Sequence, residues 1–302
     1  MKKAFVIILS AMLLAACADS TKQLIKRADE LCLYIPDHEL LEKSRDFMTT
    51  DFYAVLDTMF YRLPAHEAMD HQWEHFFVTD YGNPITDYTV TGIVMTDDTH
   101  AIATISVVDE TSETEEHFLH MEKAGRKWLM SDFDGHKQDC IRYIENNRKE
   151  QALRDAISDY LVNDIGQQYR LGEYCIPTLM IVREEEMSEV RTLVWGDFWV
   201  YWYNVSGDTL NTVSGGNHSG CMTLRKQDGT IRVTAFEQTV DGAGNDASAR
   251  RIFGDFYDIY QNMHSNQNVR EAVRQEQLTE YVNRHGLNIH YYYDYGWDAV
   301  GL

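Results

Sequence analysis

Several residue groups in this chain are spaced in ways that could support chemistry, and each implies a different reaction. His71-Gln72-Trp73-Glu74-His75 reads H-x-x-E-H. On a helix its two imidazoles fall one turn apart on one face, where they could share a zinc ion. Glu74 would then polarise a metal-bound water, with Glu110 or Glu113 as a third ligand, giving a zinc hydrolase. Twelve histidines in a glutamate-rich chain make such matches frequent by chance, and a solvated helix anchored by Trp73 explains the segment more simply. His117 and His120 are three apart on an expected strand, so they face opposite ways and cannot bind one metal together. His218 and Asp241 both fall at expected strand ends. Brought together in a pocket, they would be a base and its orienting carboxylate.

The stretch Val194–Tyr203 is apolar at both parities. Trp195, Asp197, Trp199, Tyr201 and Tyr203 share one side, and Val194, Gly196, Phe198, Val200 and Trp202 the other. A two-residue period therefore requires cover on both faces. One face meets helices. The aromatic row, with Asp197 within it, either meets a partner domain or stacks a planar ligand such as a sugar, binding through Trp195, Asp197, Trp199 and Tyr201. Gly215-Gly216-Asn217-His218-Ser219-Gly220 lacks the lysine and following helix of a phosphate loop, and reads as a bulge or hairpin. Asp241–Asp246 has the oxygen spacing of a calcium loop, but position twelve is Ile252 where a bidentate Glu is needed. Helix capping by Asp246 is the simpler reading. No metal or cofactor is expected.

The elements that must carry these groups follow from periodicity. Helices are expected over 21–33, 40–62 and 65–77. In the second, Met48, Phe52, Leu56 and Phe60 recur at every fourth position. After the turn Tyr81-Gly82-Asn83-Pro84 the period changes to two. Tyr88, Val90, Gly92 and Val94 share one side, as do Ala101, Ala103 and Ile105. A hairpin turns at Ala124-Gly125-Arg126. Residues 136–165 read as one helix or two abutting ones. Strands then recur at 175–184, 189–205, 209–214, 218–226 and 230–239. Helices at 247–264 and 267–285 follow, the latter capped by Gly286. His290–Trp297 is an edge strand or docked tail. Helices followed by antiparallel strands, twice, make the class α+β. Lys123…Trp128…Phe133 and Lys226…Ile231…Phe236 align at an offset of 103 residues, which favours an internal duplication.

The amino terminus carries a different message. Lys2 and Lys3 precede thirteen residues, Ala4–Ala16, broken only by Ser10. That is a secretory leader, shorter than the roughly 20 apolar residues a bilayer span needs. Its end, Leu14-Ala15-Ala16-Cys17, resembles the lipobox of bacterial lipoproteins. The resemblance implies cleavage after residue 16, a lipid thioether on Cys17, and a body held on the cell envelope, periplasmic side or surface. In that oxidising setting Cys32, Cys140, Cys175 and Cys221 either pair, as Cys32–Cys140 and Cys175–Cys221 if a boundary falls near 149, or remain small buried hydrophobes.

The whole chain has 302 residues, 44% hydrophobic and 25% charged, with a formal net charge of −21. It can bury real cores, which excludes disordered and collagen-like classes. Its acidity argues against a nucleic-acid partner. Two domains, 17–148 and 149–302, suit the length. The element order and the closing strand Lys127-Trp128-Leu129-Met130-Ser131-Asp132-Phe133 resemble the nuclear transport factor 2-like (cystatin-like) superfamily. That resemblance implies two cone-like α+β domains; the helices after residue 247 depart from the family's minimal pattern. The H-x-x-E-H pentad is also the pattern of inverted zinc metalloproteases, although its flanks do not resemble theirs. The expected function is a lipid-anchored, non-catalytic binding or scaffold module, its protein or small-molecule partner unidentified. The alternatives are an acid–base enzyme using His218 and Asp241, and the zinc hydrolase at 71–75.

Overall fold

The computed structural model describes residues 21–32, 44–63, 85–109 and 114–302. The chain is α+β and divides into two compact units, Met1–Arg148 and Lys149–Leu302.

In the first unit, helix α1 (21–32) buries Leu24, Ala28, Leu31 and Cys32, a stripe of three- and four-residue steps. Helix α2 (Thr50–Tyr61) starts later than its periodicity predicts. A tight turn at Arg45–Phe47 comes first, and Met48 is extended, bridging to Met130 before Thr49 caps the helix by accepting from Phe52 N. Met48 therefore reaches the core from strand-like backbone, beside Phe52 and Leu56 from the helix. Strands β1 (Ile85–Met95), β2 (His100–Asp109), β3 (Thr114–Ala124) and β4 (Lys127–Phe133) form an antiparallel meander in chain order. The expected alternation holds in β2, where Ala101, Ala103 and Ile105 are buried. It fails in β1: a bulge between Val90 and Gly92 shifts the parity, so Ile93 rather than Val94 packs on the core.

Helix α3 (Lys137–Tyr160) is continuous and runs on through a wide turn, Leu161–Ile165, and a tight one, Gly166–Gln168. The polar run 145–151 lies inside it, as the sequence suggested. The second unit then builds its sheet from β5 (Tyr174–Cys175), β6 (Thr178–Ser188), β7 (Arg191–Ser206), β8 (Thr209–Gln227) and β9 (Thr230–Gln238). Here β6, β7, β8 and β9 pair as consecutive antiparallel neighbours. Lys226 pairs with Ile231 across the β8–β9 hairpin just as Lys123 pairs with Trp128 across β3–β4. The two hairpins that align in sequence thus share their register.

The glycine-rich stretch is not a turn. Strand β8 passes through Gly215–Gly220 unbroken, paired with β7 throughout. A Cβ on Gly216 would lie 2.1 Å from Tyr169 Oη, and one on Gly220 2.1 Å from Glu237 O, so these glycines admit close neighbours within a strand. The helix expected over 247–264 is also two: α4 (Asn245–Phe253) and α5 (Tyr257–Ser265), separated at Gly254, whose φ is +50°. Helix α6 (Gln267–Arg284) follows and ends at Gly286, in the left-handed region as expected. Strand β10 (Tyr291–Tyr293) then lies parallel to the start of β8, and β11 (Val300–Gly301) pairs with β10.

Both faces of β7 are covered, as its double parity requires. Val194, Phe198 and Val200 pack with Leu153, Ile157 and Leu161 of the α3 segment. On the other face, Tyr201 and Tyr203 pack with Leu278 and Val282 of α6, and Trp195 with Ile252 and Phe253 of α4. No helix among the described residues is long and apolar enough to cross a membrane.

Candidate functional site

Asp197 sits in the middle of the aromatic row of β7 and is 0% exposed. A carboxylate cannot stay ionised in such a place without donors. Four converge on it: Ser219 Oγ at 2.6 Å, His264 Nδ1 at 3.1 Å, Trp199 Nε1 at 3.3 Å, and the amide of Asn217. Tyr260 adds a hydroxyl bond to Ser219 at 3.2 Å. Burial pushes the Asp197 carboxyl up, but the bonds from His264, Ser219 and Asn217 outweigh it and hold it below the usual carboxylate range. The hydrogen bond to Asp197 in turn raises His264 above its ordinary value, against the opposing effect of burial.

This corrects the reading of the row as a ligand platform. Trp195 donates Nε1 to Ile252 O at 2.9 Å and packs edge-on to Phe256. Trp199 stacks on Tyr201, and Arg270 lies over Trp199. The chain's own helices α4, α5 and α6 supply cover on this face. Sequence reasoning missed His264, 67 residues from its carboxylate. The signal present was the acid itself: a carboxylate in an apolar row needs donors, and α5 brings His264 to it.

Arg274 was missed for the same reason. Although 1% exposed, it bonds Asp294 at 2.7 and 2.9 Å, Thr212 Oγ1 at 2.8 Å and Tyr203 Oη at 3.0 Å, with its guanidinium over the Tyr201 ring. Burial opposes its charge, but Tyr203, Asp294 and Tyr201 more than compensate and keep it protonated.

His218 and Asp241 are not a pair. His218 Nε2 takes the Tyr169 hydroxyl at 2.8 Å and Nδ1 meets Gln238 Oε1 at 2.9 Å, so both ring nitrogens are engaged. Asp241 is exposed and precedes the turn Gly242–Gly244 without a side-chain cap bond. Asp246 does not cap α4 either. It lies in the first turn and accepts from Tyr257 Oη and Arg250 Nε, which removes its carboxylate from any calcium loop.

In the first unit His117 is buried and His120 half-buried on the opposite face of β3. His117 Nδ1 meets Asp134 Oδ2 at 2.6 Å, and its ring stacks on Phe133. Among the described residues no group of three or more His, Cys, Asp or Glu could hold a metal ion. Cys17, His71, Glu74, His75, Glu110 and Glu113 lie outside the described residues.

Cys32, Cys140, Cys175 and Cys221 are free thiols, the unpaired one of the two alternatives the sequence leaves open. Cys175 packs beside the Leu153–Phe198 cluster and Cys221 beside the Ile252–Tyr260 cluster. The second proposed pair is thus divided between separate clusters. Cys32 and Cys140 share one core as small hydrophobes. Burial raises the Cys32 and Cys140 thiols to about 12 and the Cys175 and Cys221 thiols to about 11, which leaves none a ready nucleophile.

A cleft of about 520 Å³ opens within the second unit. One wall is the α3 face carrying Arg154, Asp155, Ser158 and Asp159, and the other is the α6 face carrying Glu280, Tyr281 and Arg284. The β5–β6 link, Cys175-Ile176-Pro177, lies between them. Arg284 joins the walls, bonding Asp155 at 3.1 Å and Glu280 at 2.8 Å. Gln277 secures the floor by bonding both backbone groups of Leu179. A second depression, about 550 Å³ at the α5–α6 corner, is lined only by polar residues from Asn262 to Asn268 and has no apolar floor.

No protein-family model and no curated protein matches the sequence. Among solved structures, an Ntf2-like protein involved in plasmid conjugation is similar at 9% identity and a TM-score of 0.22, over 74% of this chain and 99% of that one.

Proposed function

We propose that the protein is a lipid-anchored, non-catalytic binding module of the bacterial cell envelope, built from two nuclear transport factor 2-like units. Its ligand site is the cleft between α3 and α6. The observation carrying this reading is the cleft's lining: apolar Ile176 and Pro177, the Tyr281 ring and charged side chains of both signs, in a volume suited to small-molecule sites. The histidine–carboxylate contacts elsewhere act as ties within the fold, His264 fastening α5 to β7 through Asp197. The tandem assignment is supported by the helix-then-meander order of both units and their matched hairpin registers. The anchor is supported by the lipobox-like Leu14-Ala15-Ala16-Cys17.

The cleft is tested with anilinonaphthalene sulfonate, an amphipathic fluorescent probe. The full chain in neutral detergent is expected to bind it saturably, and Ser158→Trp, which fills the cleft from a half-exposed helix position, is expected to abolish binding without lowering Tm. Equal binding by the variant would place the ligand site elsewhere.

A further inference from the structure

The link between β10 and β11 is an aromatic turn that the rest of the second unit holds firmly. Tyr295 is 93% exposed and Trp297 67%. The turn closes through Trp297 N to Asp294 O at 3.0 Å, and Asp294 is clamped from below by both terminal nitrogens of the buried Arg274. Its far side is fixed by Leu302 N to His290 O at 2.8 Å and by Gln275 Nε2 to Gly301 O at 2.7 Å. A turn tied at both ends keeps two large rings in water, although the hydrophobic effect favours covering them.

The charge around these rings indicates what covers them. Residues 286–302 contain no Lys or Arg and two acids: Asp294, whose charge Arg274 balances, and Asp298, in a chain of net charge −21. An anionic lipid surface is repelled by that sign. A cation is attracted twice, by the ring faces and by the Asp298 carboxylate. The same chemistry recurs within the second unit, where Arg270 lies over Trp199 at 4.6 Å and Arg250 over Tyr257 at 4.1 Å. Tryptophan and tyrosine are also the residue types that most often dominate binding energy at protein interfaces.

We propose that the 294–298 turn is a docking site for a basic segment of a protein partner, with arginine seated on Trp297 and Tyr295 and paired with Asp298. This surface is separate from the α3–α6 cleft and does not depend on it. The probe is a peptide of alternating arginine and glycine, titrated calorimetrically into the full chain in neutral detergent at roughly physiological ionic strength. The double variant Tyr295→Ala/Trp297→Ala leaves net charge unchanged and alters only exposed side chains. It is expected to weaken the peptide about tenfold or more, with Tm and circular dichroism unchanged. Equal affinity of variant and parent would show that bulk acidity alone attracts the peptide, and would overturn the proposal. Quenching of Trp297 by brominated phosphatidylcholine in reconstituted vesicles, lost in Trp297→Ala, would assign the turn to the bilayer and overturn it as well.

Discussion

Removing the Asp197 carboxylate leaves His264, Trp199 and the Asn217 amide without their acceptor, so Asp197→Ala is expected to cost about 3 kcal/mol in chemical denaturation. The sign of the pH dependence follows from the two shifts. His264 titrates above its ordinary 6.5 in the folded chain, so its contribution is complete below that pH and is lost as pH rises through the raised value. Asp197 titrates below 3.8, so its contribution is present above that pH and is lost as pH falls through the lowered value. Asp197→Asn should therefore flatten the decline in stability on the alkaline side of 6.5, measured as urea midpoint against pH. An unchanged slope would mean that the imidazole gains nothing from its neighbour. None of this was legible beyond the oddness of an acid among aromatic rings. The His218–Asp241 pairing, by contrast, followed from nearness in an expected topology, and Tyr169 and Gln238 had claimed the imidazole first.

The elements were legible wherever one face is simply buried. Strand β2 shows its alternation through Ala101, Ala103 and Ile105, and β7 shows by its double parity that it needs cover on both sides. They were misread where a local irregularity carries the information. The β1 bulge moves Ile93 inward in place of Val94, a shift that residue types do not encode. The β8 glycines have the composition of a turn but serve close contacts from Tyr169 and Glu237. Gly216→Ala is accordingly expected to displace Tyr169, break its bond to His218 and cost about 1–3 kcal/mol, read as a lowered Tm. Arg274→Met should cost about 3–5 kcal/mol by leaving Asp294 and Thr212 without their donor. Its distinctive sign is faster amide exchange across β10 and β11, because Arg274 ties that segment to α6.

The whole molecule consists of two units that each enclose their own cores, one centred on Trp128, Phe52 and Leu119, the others on the two faces of β7. Chains of this kind commonly unfold in more than one step. Differential scanning calorimetry is expected to resolve two transitions, with Trp128→Ala lowering one and Asp197→Ala the other. A single transition moved by both variants would mean that the units unfold as one.

The proposed role in the envelope depends on the proposed membrane attachment, which turns on one sulfur atom. Intact-mass and peptide mass spectrometry of the chain expressed in a bacterium and extracted from its membranes tests it directly. The expected product begins at Cys17 and carries diacylglycerol in thioether linkage, and Cys17→Ser abolishes both the added mass and the membrane fraction. A membrane-free product with Cys17 unmodified, or one retaining residues 1–16, would contradict it.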